Sequence, residues 1–381
     1  MSFVKLPVLR HGLMIRHEEI FLDAVMAERI KRIRKLMEDQ GVGGLIAYSN
    51  AIQNGPVCYL TNYPCFGLGR RGAVALGLEE GPFLFTAEPA RNLPRVRLFT
   101  TCDLEKGRQF LSAACDRVKN LSKNSPVGLV GFENLPLALA KDSEKELEGL
   151  KKKDLSRDFS AVLAAKDEGS LKATKRAREL AEEGIRLLKD QVASGKDLWQ
   201  LAAQVDYRLR LLGCEDTNIL LGCADKGRVR PGYPARIKPR SGDTVVAYAA
   251  VQYARHWGVA GYTFSVGSAN KDLDASLARL GEVQKSLAPK VKTGMTLGEI
   301  EVVIAEAGRQ AGLMFAPDLP LGTGVGFDLS EYPSSAEDEV RTGMVLQVVL
   351  ASDVDQSFTA MIVDMLQVTH KGGVWLGRSG N

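Results

Sequence analysis

The chain reads as two domains of different class: an α/β domain over residues 1–155, and an α+β domain over 156–381 in which helices cover a curved, mostly antiparallel sheet. Three observations point there. In the first stretch, short apolar runs bounded by glycine, proline and asparagine alternate with amphipathic helical patterns. In the second, two long helical patterns precede two apolar segments joined with hardly a turn. Helix pairs and strand pairs then alternate toward the end of the chain. The 381 residues, 45% of them hydrophobic, suffice to give each domain its own core.

Residues 27–40 place Ile30, Ile33, Leu36 and Met37 on one helical face, and Gly41 supplies the stop. Strands are expected at 44–48, 57–60, 72–78 and 82–86, then at 127–132, followed by a helix at 137–150. Residues 166–192 carry a long helical pattern with Leu171, Ala177, Leu180, Ile185 and Leu188 as its buried candidates, and 198–212 carry a second. Beyond them the texture turns to β: strands are expected at 244–254, 256–266, 345–350 and 359–368, with helices at 275–287 and 297–311 between the groups.

The net charge of +4 arises from 50 basic and 46 acidic residues without a sustained basic run, which argues against nucleic-acid or membrane-surface partners. Six cysteines form no CxxC pair and no signal peptide is evident, so reduced thiols in a cytoplasmic protein are expected. No apolar run approaches the roughly 20 residues of a membrane-spanning helix.

Four stretches carry a family likeness. They are Gly242-Asp243-Thr244-Val245 with Val266-Gly267; Lys292-Thr293-Gly294-Met295-Thr296; the run from Leu321 through Gly322-Thr323-Gly324-Val325-Gly326-Phe327-Asp328-Leu329-Ser330-Glu331 to Tyr332-Pro333; and Gly343-Met344-Val345 with Val368-Thr369. In this order and spacing they resemble the superfamily of methionine aminopeptidase, prolidase, aminopeptidase P and creatinase. The N-terminal half is similar to the creatinase and prolidase branch through Tyr59-Leu60-Thr61-Asn62 and the junction at 162–168. The resemblance implies a pita-bread fold for the second domain, and a homodimer in which one subunit reaches into its neighbour's pocket through the loop bearing Phe66, Arg70 and Arg71.

The same resemblance locates the positions where relatives hold two metal ions. They fall on Tyr248, Val259, Thr323, Val349 and Val363. Divalent cations need carboxylates or imidazole, and valine has no lone pair to give. Asp364 is no substitute, being one step along a strand from Val363 and so on the opposite face. The expectation is therefore no metal and no other cofactor. By the same period of two, Trp257, Gly261, Thr263, Gln347 and Met361 should face the cavity with these positions, while His256, Tyr262 and Asp364 face away.

Candidate site residues follow. Creatinase, the metal-free member of the superfamily, uses a pocket histidine as its base, so the resemblance offers His256 for that role, against the strand parity. Glu331 matches an acidic residue of relatives and is the candidate carboxylate. Arg228 and Arg230 lie in a loop, 222–232, from which an arginine fork can clamp a carboxylate or phosphate, and which reads equally as a solvated basic loop. Tyr248, Trp257, Thr263, Thr323 and Gln347 complete the expected substrate-binding set, with Phe66, Arg70 and Arg71 added from a neighbouring subunit. The leading expectation is a metal-independent, creatinase-like hydrolase of a C–N bond in a small amino-acid-like or amidine-like molecule. The rival is a catalytically inactive homologue that binds a peptide or metabolite. A metal-dependent Xaa-Pro peptidase is the third reading.

Overall fold

The computed structural model describes residues 20–65, 71–100, 102–106, 109–224, 229–315, 322–354 and 358–377. The chain divides into two compact units between Leu163 and Ala164.

The first unit runs α1 (Asp23–Asp39), β1 (Gly44–Asn50), α2 (Gly55–Thr61), β2 (Arg71–Gly77), β3 (Phe83–Thr86), α3 (Leu93–Val96), β4 (Asp103–Lys106), α4 (Phe110–Ser122), β5 (Val127–Val130), α5 (Leu137–Glu146), β6 (Lys152–Asp154) and α6 (Ser156–Ala164). Its six strands form a mixed sheet in the order β4-β3-β2-β1-β5-β6. The α4 helix turns Phe110, Leu111, Ala114, Cys115, Val118 and Leu121 onto Ile46, Tyr48, Ala73, Ala75 and Phe85 of the sheet. One expected strand is a helix: residues 57–60 lie in α2. Val57 through Thr61 are buried on every side, so the run has no alternation by which to tell the two apart, and Pro56 sits in the first turn, where its missing N–H costs nothing. The α6 helix, which follows residue 155, belongs largely to this first unit, with Phe159 edge-on to Tyr59 at 6.0 Å.

The second unit runs α7 (Glu168–Gln191), α8 (Leu198–Leu211), β7 (Asp216–Ala224), β8 (Thr244–Tyr253), β9 (His256–Ser265), α9 (Lys271–Leu287), α10 (Leu297–Gln310), β10 (Gly322–Gly324), β11 (Val345–Val354), β12 (Phe358–Thr369) and β13 (Gly372–Trp375). The strands make a seven-stranded antiparallel sheet in the order β10-β11-β12-β9-β8-β7, with β13 on β12. Capping places the helix starts: the Asp167 side chain accepts from Ser170 N, and Asp197/Gln200 and Thr296/Glu299 form reciprocal capping boxes.

Strand alternation sorts the sheet into two faces. Val245, Ala247, Ala249, Val251, Ala260 and Phe264 pack beneath α7 and α8. Leu346, Val348, Leu350, Leu366 and Val368 pack beneath α9 and α10. The intervening residues gather on the opposite face in a separate cluster. Helix α7 rests directly on β9 because Gly258 has no side chain; a Cβ there would stand 2.1 Å from Arg178 N. On this helix face Arg178 Nε bonds Asp364 Oδ1 at 2.9 Å, and Gln284 holds the other carboxylate oxygen at 3.0 Å. Burial pushes the Asp364 carboxyl above the usual carboxylate range, and Arg178 draws it partly back.

Candidate functional site

Two adjacent rows of side chains cross the face of the sheet opposite the helices. In the first row Tyr248 pairs with Gly261 across β8 and β9, Gly261 with Val363 across β9 and β12, and Val363 with Val349 across β12 and β11. In the second, Thr323 pairs with Gln347 across β10 and β11, and Gln347 with Met365 across β11 and β12. Met365 Sδ in turn lies 3.2 Å from the Val259 amide. The five family positions named from the sequence thus converge, although up to 115 residues separate them along the chain (363 − 248). Regular strand pairing is the cause, since each pair of register partners shares a face.

This face of the sheet is apolar at its centre. Val259, Val363, Val325, Val345, Met361 and Met365 are buried against one another, and Tyr248, Trp257, Leu329 and Val349 pack on them while remaining partly exposed. Each fully buried valine contributes roughly 1.5–3 kcal/mol, so the aliphatic side chains themselves stabilise the sheet here. As a donor set, three valines, a tyrosine and a threonine do not fit a centre of two divalent cations. Among the described residues no group of three or more His, Cys, Asp or Glu is arranged to hold a metal ion.

Three partly exposed polar groups form a chain on the same face. Tyr248 donates its hydroxyl hydrogen to Gln347 Oε1 at 3.3 Å, and Gln347 Nε2 donates to Thr323 Oγ1 at 2.7 Å. Burial pushes the Tyr248 phenol well above its ordinary value and keeps it neutral. Trp257 joins the cluster through its indole, while its amide donates to Gly326 O at 2.6 Å. The structure therefore brings together Tyr248, Gln347 and Thr323, and sets Trp257 against the apolar cluster of the same face.

Thr263 requires a correction. It is fully buried: its hydroxyl donates to Thr359 O at 2.9 Å and accepts from Met361 N at 3.1 Å. It thus stitches β9 to β12 where ladder pairing gives out, and does not line an accessible surface.

His256 opens β9 directly opposite Tyr253, across the two-residue turn Ala254-Arg255, whose φ angles are 46° and 62°. The hairpin is regular, so no bulge re-aims the ring, and the parity argument holds. The ring is fully buried, 4.1 Å from Phe327 between centroids, with Nδ1 2.8 Å from Ala254 O. That is a correction to the picture of a base standing in the cleft. Glu215 holds the adjacent turn: its Oε2 accepts from Arg255 N at 2.7 Å and its Oε1 lies 3.5 Å from the buried guanidinium. Left-handed alanine and arginine cost about 1–3 kcal/mol each, which this buried carboxylate helps offset.

Glu331 and Arg230 are likewise engaged. Glu331 is ion-paired with Lys166, whose side chain is fully buried, and it accepts from Asp328 N at 3.4 Å. The Arg230 fork grips Asp353 at 2.8 and 3.2 Å and also bonds Thr359. Cys223, in the same stretch as Arg230, has the Asp243 carboxylate beside it, Oδ2 at 3.6 Å. Arg71 begins β2 in the first unit. Phe66, Arg70 and Arg228 lie outside the described residues. Sequence reasoning missed Lys166 and Glu215. The junction at 162–168 singled out the right segment, but nothing in the letters pairs Lys166 with a residue 165 positions later.

Comparison with known proteins agrees with the geometry of the fold. A profile of metallopeptidase family M24 matches residues 172–370. An Xaa-Pro dipeptidase of Pyrococcus horikoshii is 23% identical over 355 residues, covering 91% of this chain and 96% of the relative. Among solved structures, the prolidase of Pyrococcus horikoshii superposes with a TM-score of 0.76 at 20% identity, covering 93% of this chain and 99% of that one. An X-Pro aminopeptidase of Thermotoga maritima gives 0.77 at 18% identity, covering 92% and 97%. The likeness to these structures is one of fold, including the pita-bread sheet.

Proposed function

Because the chain belongs to metallopeptidase family M24, we propose that it keeps the family's cleft to bind a small amino-acid-like or dipeptide-like molecule and does so without the family's metal chemistry. The observation that carries this reading is the row Tyr248, Gly261, Val363, Val349, in which Tyr248, Val363 and Val349, three of the positions where the family resemblance expects ligands, are aromatic or aliphatic. Binding is favoured over metal-free C–N hydrolysis because His256 is buried and Glu331 and Arg230 are held in ion pairs. The deciding measurement is elemental analysis of purified protein alongside Xaa-Pro dipeptide assays with and without added manganese or cobalt. The expected result is no stoichiometric metal, no turnover, and thermal stabilisation by a bound molecule. Two tightly bound ions per protomer together with metal-dependent cleavage would overturn the reading.

A second reading, a metal-dependent Xaa-Pro dipeptidase, is favoured by the names of the relatives, and the same assay decides between them. A metal-free, creatinase-like hydrolase is the third. It requires turnover of creatine-like compounds that His256→Ala abolishes while folding is retained. The homodimer with shared pockets is part of the proposal, and light scattering on the purified protein tests it.

A further inference from the structure

The hydrogen-bonded chain on the sheet face opposite the helices has a chemistry of its own. Tyr248, Gln347 and Thr323 come from β8, β11 and β10, so three strands must be in register for the chain to exist. All three side chains are partly exposed, as are Trp257 and Val349 on the same face, so solvent reaches them. Each polar group keeps bonding capacity in hand. The phenolic oxygen can still accept, and the Thr323 hydroxyl hydrogen and second Gln347 amide hydrogen can still donate. Among the described residues no ionised side chain bonds to any of the three, and the charged groups expected nearby, Arg230 and Glu331, are held by Asp353 and Lys166.

We propose that this chain recognises an uncharged amide, so that the cleft selects capped or cyclic dipeptide-like molecules over free zwitterionic ones. The ligand carbonyl accepts from Thr323 and Gln347, its N–H donates to the Tyr248 oxygen, and its apolar substituent lies against Val349. A neutral amide exchanges its bonds to water for bonds to these groups nearly one for one. An ammonium or carboxylate set against the same wall loses hydration and finds no opposite charge among the described residues. This inference rests on the cleft being a binding site that works without metal, and it adds the charge of the ligand.

The test is isothermal titration at neutral pH with two probes, N-acetyl-alanyl-proline amide and free alanyl-proline, each also assayed for hydrolysis with added manganese. The capped probe is expected to bind at least about tenfold more tightly than the free dipeptide. Thr323→Val is close in shape and removes one donor. It should weaken the capped probe by about three- to tenfold and, since it also removes the acceptor of the Gln347 amide, lower the melting temperature by only a few degrees. Tyr248→Phe should do the same, which keeps the test alive if one variant folds poorly. Equal or tighter binding of free alanyl-proline without turnover overturns the charge preference and leaves the binding reading standing. Binding of neither probe also overturns the preference. Manganese-dependent cleavage of alanyl-proline overturns the binding reading itself.

Discussion

Val363 stands directly over Gly261: the two are register partners across β12 and β9, and a Cβ built on the glycine would lie 2.7 Å from Val363 Cγ2. A contact that close leaves no room for a methyl group. Gly261→Ala should therefore cost about 1–3 kcal/mol by overpacking, and Val363→Ala in the same chain should recover much of that cost. Urea denaturation of the two single variants and the double variant measures the coupling. Strictly additive effects would show that the two residues do not compete for one space.

Placing a carboxylate back into the apolar centre of this sheet face should be costly. Val363→Glu puts an ionisable group among Val349, Val259 and Met361, and burial raises its pKa above the ordinary glutamate value of about 4.3. The folded state then holds a proton that the unfolded state has released, so stability should fall as pH rises above about 4.3. Thermal melts of Val363→Glu and Val363→Gln between acid and neutral pH decide it; parallel curves for the two would contradict a buried, dry centre.

Lys166 and Glu331 are both shielded from solvent, 0% and 7% exposed. Removing one partner leaves the other charged and unpaired. Lys166→Met should destabilise the protein by about 3–5 kcal/mol, and adding Glu331→Leu should return most of it. If Lys166→Met melts with the wild type, the pair is not a structural anchor.

Cys115 and Cys214 are buried, and burial pushes both thiols up to about 12. In the native protein neither should react with an alkylating reagent at pH 8, and both should react in denaturant. The sign of the linkage follows: an unfolded thiol ionises near 9.0 and the folded one near 12, so stability is intact below pH 9 and declines as pH rises through that window. Cys115→Ala and Cys214→Ala should flatten the alkaline decline, and mass spectrometry of labelled peptides checks the reactivity.

Much of the second unit was legible because its elements are regular. The strands at 244–254, 256–266 and 359–368 emerge as β8, β9 and β12 within a residue or two, and the helix starts carry capping residues readable as letters. The period of two places Trp257, Val259, Met361 and Val363 on one face and Tyr262 and Asp364 on the other, and the packing agrees. Thr263 follows the parity yet is consumed by β12, because accessibility depends on the neighbouring strand as well as on the face.

What the sequence by itself determined is the two-domain fold class, the face that residues of the long strands take, and the absence of carboxylate and imidazole at Tyr248, Val259, Thr323, Val349 and Val363. Local periodicity and residue chemistry are sufficient for those. Tertiary structure alone decided which charges remain available. Glu331 meets Lys166, Arg230 meets Asp353 and Arg255 meets Glu215 across 165, 123 and 40 positions of chain. No local pattern encodes such pairings, since they exist only when distant strands and loops are packed closely enough for desolvated charges to require a partner.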